Sequence, residues 1–136
     1  MFSFELVDGE SIAQKKSYDF ALQIIRLCIR LKEEKHFELA RQLLRAGTSV
    51  GANVEEALAA SSRKDFGARM SIASKEAREA NYWLRLLVDA GILTGRAGSE
   101  LLDASEELVK ILTSIVKTVR TPPGASLSRE SREAKA

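Results

Sequence analysis

Proline is missing from the first 121 residues, and the chain's two prolines, Pro122 and Pro123, stand together near its end. A proline inside a helix removes a hydrogen bond and clashes with the preceding turn, so nothing of that kind interrupts long helices before Pro122. Cysteine is reduced to Cys28, set in an apolar run. A lone thiol forms no internal disulfide, and nothing in the chain points to export, so a reducing compartment is expected. Histidine occurs once, as His36, which excludes the paired Glu-x-x-His sites of ferritin-like di-metal bundles. Aromatic residues make up 6%, and no β-branched runs separated by hairpin turns are present, so sheet is not expected. No apolar stretch approaches the roughly 18–20 residues of a membrane span. Glu5, Asp8 and Glu10 occupy the place where a signal peptide carries positive charge and then an apolar block. These absences describe a cytoplasmic protein with no membrane partner. A glycine-rich phosphate loop is missing too, since Gly47 and Gly51 lie inside a helical pattern and follow no strand. With Cys28 in apolar company, no catalytic constellation remains, and the chain reads as a non-enzyme without metal or cofactor.

What is present is an ordinary soluble balance, 45% apolar and 29% charged over 136 residues, enough for one domain with one core. The net charge of +2 is too small to argue for nucleic acid by itself. The charge is unevenly spread: residues 11–96 hold 15 Lys and Arg against 10 Asp and Glu. A modest basic surface is therefore compatible with the sequence.

The apolar spacing predicts four helices. Residues 1–10 read as an irregular lead-in, with Ser11 as the N-cap of a first helix over about 12–34. Lys35 and His36 break the pattern before a second helix over 37–60. Gly47 and Gly51 each cost that helix about 1 kcal/mol of propensity, yet the apolar phase is kept through them, so one continuous helix is expected, compensated by close helix approach. Ser62, with Asp65 three residues on, reads as the cap of a third helix over 63–90, ended by Gly91. Ser99 reads as the cap of a fourth, which stops before Pro122. Residues 11–121 thus form an all-α, antiparallel up-down four-helix bundle, and the Ser/Arg/Glu-rich tail 122–136 is expected to be disordered. The first and fourth helices carry apolar residues around more than one face. Such surplus predicts self-association.

The least ordinary stretch is Leu43–Phe66. Ser49, Asn53 and Glu56 fall at spacings of four and three, on one helical face beside the apolar stripe. They are expected to form a structural polar network with Lys75, Glu76 and Glu79 of the third helix, since buried polar groups must be satisfied. A ligand or metal site in that network is the sharper but less economical reading. The basic residues Arg26, Arg30, Arg41, Arg45, Arg63, Lys64 and Arg69, with Arg78 and Arg85 further along, are candidates for a phosphate-binding surface. Oligomerisation would repeat that surface. Trp83, beside Tyr82, reads as a packing anchor or as a platform for a stacked base.

Three stretches carry a resemblance: LLRAGTSVGANVEEA (Leu43–Ala57), SRKDF (Ser62–Phe66) and ARMSIASKEAREANYWLRLL (Ala68–Leu87). Over residues 12–120 the chain resembles the four-helix-bundle proteins related to the 23S rRNA intervening-sequence protein. It departs from many members in having Ala57 after Glu56 where they have glycine. The resemblance implies a bacterial bundle assembled as a homopentameric barrel. It is also similar to the accessory variability determinant of diversity-generating retroelements, which works with a reverse transcriptase and binds nucleic acid through a basic surface. The first functional expectation is therefore an oligomer that binds RNA or DNA by backbone electrostatics. The second is a protein-interaction scaffold whose basic residues are merely solvated.

Overall fold

The computed structural model describes residues 7–121. Four helices follow one another: α1 (Val7–Glu33), α2 (Phe37–Leu58), α3 (Arg63–Asp89) and α4 (Gly95–Arg120), with no strand among the described residues. The expectations for residues 1–6 and for the tail 122–136 lie outside the described residues.

Two helix starts differ from expectation. α1 begins at Val7, so Val7–Glu10 are helical and Ser11 lies inside the helix instead of capping it. α4 begins at Gly95 with Thr94 in the cap position, and the Ser99 hydroxyl donates to the Arg96 carbonyl at 3.1 Å. Gly95 adopts φ +70°, which lets the chain turn into the helix early. Leu93, 1% exposed, tucks against Gly98 of the first turn.

The other boundaries follow local chemistry. The Asp65 amide donates to the Ser62 hydroxyl at 3.1 Å, the cap read from sequence. α1 and α3 each end in a Schellman motif. The His36 and Lys35 amides donate to the Leu31 and Lys32 carbonyls, and the Ile92 and Gly91 amides to those of Leu87 and Val88. Lys35 (φ 67°) fills the left-handed position in the first motif and Gly91 (φ 76°) in the second.

α2 runs unbroken through Gly47 and Gly51. Each helix touches two neighbours: α1 meets α2 and α4, and α3 meets α2 and α4. The core lies between them, built from Phe20, Ile24 and Leu31 of α1, Leu43 and Val50 of α2, Phe66, Met70, Leu84 and Leu87 of α3, and Leu108 and Leu112 of α4. The surplus apolar residues of α1 and α4 have different fates. On α4, Leu102, Val109 and Ile111 pack against the core, so that helix presents no large exposed hydrophobic residue. On α1, Tyr18, Leu22, Ile25 and Ile29 remain exposed, Tyr18 at 62% and Ile29 at 55%. Their four-three-four spacing makes one continuous stripe.

Candidate nucleic-acid interface and interhelical polar network

The polar link between α2 and α3 exists, but it is made by Arg45. Its guanidinium bonds Glu76 at 3.2 Å and also reaches Glu79, whose carboxylate accepts from Trp83 Nε1 at 3.1 Å. Ser49 and Asn53 take no part across the interface. The Ser49 hydroxyl donates to the Arg45 carbonyl at 2.6 Å, and the Asn53 amide donates to the Ser49 carbonyl at 2.8 Å. Short side chains on a helix reach their own preceding turn more easily than the next helix; the long arginine makes the crossing. Glu56 and Lys75 are exposed and make no hydrogen bond or ion pair with the described residues. The expected six-residue network is therefore corrected to Arg45, Glu76, Glu79 and Trp83.

A second polar crossing joins α3 to α4. Ser105, fully buried on α4, accepts from the Asn81 side-chain amide at 2.8 Å and donates to the Leu102 carbonyl at 2.8 Å. Asn81 in turn accepts from Arg85 Nε at 2.9 Å. The only sequence signal was a serine on an otherwise apolar seam. Elsewhere, the Gln14 amide donates to both Glu55 carboxylate oxygens at 3.1 Å, beside an open cleft of about 270 Å³ lined by Gln14, Lys15, Tyr18, Asp19 and Glu55. No group of three or more His, Cys, Asp or Glu residues placed to hold a metal occurs among the described residues.

The candidate basic residues divide by partner. Arg30 pairs with Glu34 at 3.4 Å and donates to the Ile92 carbonyl. Arg41 pairs with Glu38 at 2.8 Å, and hydrogen bonding to that carboxylate, reinforced by its charge, raises the guanidinium's pKa. Arg45 is held by Glu76 and Glu79. Arg63 donates to the carbonyls of Thr118, Val119 and Thr121, closing the C-terminal end of α4. Arg26, Lys64 and Arg69 are exposed and form no ion pair with the described residues. Arg26 stands on α1 and the other two on α3, helices that do not touch, so the seven residues do not form one continuous patch on a single chain. Cys28 is buried, its thiol donating to the Ala40 carbonyl at 3.4 Å. Burial, partly offset by Lys32, pushes its pKa up to about 11.

Among the described residues, four helices around one apolar core, without strands and with polar crossings between neighbouring helices, define an all-α four-helix-bundle protein. Residues 10–114 match the family described as 23S rRNA-intervening sequence protein, and the chain belongs to that family. Among solved structures it is similar to a protein of unknown function from the S23 ribosomal protein family of Bacteroides thetaiotaomicron, at 40% identity and a TM-score of 0.75. That similarity covers 80% of this chain and 98% of the other. No curated protein matches the chain. No helix among the described residues is long and apolar enough to cross a membrane.

Proposed function

We propose that the protein is a cytoplasmic, non-enzymatic, self-associating bundle that binds RNA or DNA through the phosphate backbone. The observation that carries this reading is the set of exposed cations, Arg26, Lys64 and Arg69, that no carboxylate among the described residues neutralises. Such cations attract a polyanion without reading its sequence. Self-association rests on the exposed α1 stripe of Tyr18, Leu22, Ile25 and Ile29, and a closed ring such as a homopentamer would display each cation once per subunit. In this reading the helices run antiparallel, supported by the partners Gln14 with Glu55 and Cys28 with Ala40, which join early α1 to late α2 and late α1 to early α2.

The test is light-scattering mass together with binding of a short labelled RNA across a salt series. Expected are a multimeric mass and an affinity that falls steeply with salt. Absence of binding at low salt, with the assembly intact, would overturn the nucleic-acid reading. The half-buried Trp83 against Tyr82, ring centroids 5.4 Å apart, favours the second reading: a scaffold for a protein partner such as a reverse transcriptase, since aromatic pairs anchor interfaces. It predicts a stable assembly that ignores nucleic acid.

A further inference from the structure

We infer that a phosphodiester backbone lies along the groove between α3 and α4, anchored by Arg78 and Arg120. This rests on the nucleic-acid reading above and names its surface. Arg120 joins the basic residues expected from the sequence, and what the cations touch distinguishes this groove.

Elsewhere on the surface, several cations meet carboxylates. Lys16 pairs with Glu107 at 2.8 Å, Arg30 with Glu34 at 3.4 Å, Arg41 with Glu38 at 2.8 Å and Arg96 with Glu100 at 3.2 Å. In the α3–α4 groove they meet hydroxyls. Arg78 donates across it to the Thr113 Oγ1 at 3.1 Å, and Arg120 donates back across it to the Ser71 Oγ at 3.4 Å. A neutral hydroxyl orients a guanidinium without cancelling its charge. It occupies one of five donors and leaves the rest of the fork for a phosphate.

Spacing arranges these contacts in register. Ser71 and Arg78 are seven residues apart on α3, as are Thr113 and Arg120 on α4, so each pair shares a helix face. Lys64 continues the α3 row by another seven residues, and Lys110 and Lys117 flank Thr113 at three and four residues. All three lysines are exposed and form no ion pair with the described residues. Glu106, seven residues before Thr113, is the one carboxylate on the α4 row, and it ends the basic stretch on the side of Arg85. Seven residues of helix rise about 10 Å, about the rise of three nucleotides along the axis of a duplex.

The experiment is fluorescence anisotropy with labelled RNA and DNA oligonucleotides of the same sequence, from about 50 mM to about 200 mM salt. It uses the full chain, the variant R78Q/R120Q, the charge-retaining R78K/R120K, and K16Q/R96Q as a control that removes two carboxylate-paired cations. Circular dichroism checks that each is folded. R78Q/R120Q is expected to weaken RNA and DNA alike by about tenfold or more at low salt and to flatten the salt slope by about one to two units. R78K/R120K should recover most of the loss, and K16Q/R96Q should change binding by less than about threefold. If the wild type binds and R78Q/R120Q binds equally well, or if both glutamine variants lose binding equally, the groove is wrong and the nucleic-acid reading stands. Loss confined to one kind of nucleic acid would overturn the backbone-only contact. If the wild type binds neither, the underlying reading fails and the groove fails with it.

Discussion

A methyl group at position 47 would sit 2.8 Å from both Cγ1 and Cγ2 of Ile24, a fully buried residue with no room to retreat. At position 51 the nearest atom would be the Ser17 carbonyl oxygen at 3.4 Å, an ordinary contact. The two glycines share one helix and one propensity penalty, yet their substitutions should have opposite signs. G47A is expected to destabilise by about 1–3 kcal/mol through overpacking, which outweighs about 1 kcal/mol of recovered helix propensity. G51A is expected to be neutral or to stabilise by up to about 1 kcal/mol. Urea unfolding of both variants checks the pair, and equal shifts would mean that Ile24 does not set the approach of α1 to α2. Cys28 makes the second prediction at this scale. Its thiol pKa is raised from 9.0 to about 11 by burial. The unfolded chain therefore ionises first as pH rises, while the native thiol stays neutral. The contribution is fully present below about pH 9 and is lost as pH climbs through about 11. Stability should fall over that window more steeply in the wild type than in C28A, and the native thiol should resist alkylation until the protein unfolds.

Helix ends show which local signals suffice. Ser62 caps α3 because a hydroxyl at the N-cap meets an amide two or three residues on, within one turn. Gly91 ends α3 for an equally local reason, its freedom at positive φ. Ser99 has the same chemistry as Ser62 but sits within α4, since Leu93 and Gly98 come together and start the helix at Gly95. Arg63 joins two elements by placing a cation among the last carbonyls of α4, its amino nitrogen 3.1 Å from the Thr118 oxygen. R63A should lower stability by about 1–2 kcal/mol, with faster amide exchange in the last turn of α4. R63K should recover part of that, since it keeps the charge and loses the fork. Exchange that rises evenly along all four helices would argue against a local clasp.

Across the whole molecule, the asymmetry between α1 and α4 decides how one chain meets another. Both helices carry surplus apolar residues. α4 turns them toward the core, and α1 leaves Tyr18, Leu22, Ile25 and Ile29 facing outward. Lysine at both Leu22 and Ile25 should reduce the light-scattering mass to that of a monomer while helix content is unchanged. A multimer that survives L22K/I25K would move self-association away from this face. The amino-acid order alone determined four helices, the unbroken passage of α2 through Gly47 and Gly51, the Ser62 cap and the Gly91 stop. Each of these follows from apolar periodicity or from bonds made within a single turn. It also determined that polar groups would cross between α2 and α3. Only the tertiary structure decided which groups cross: Arg45 where Ser49, Asn53 and Glu56 were expected, and Asn81 to Ser105 where nothing was. Likewise it decided which arginines meet carboxylates and which meet hydroxyls. Those outcomes depend on the register and rotation of helices far apart in the chain, and on side-chain reach across the gap between them, which local periodicity does not encode.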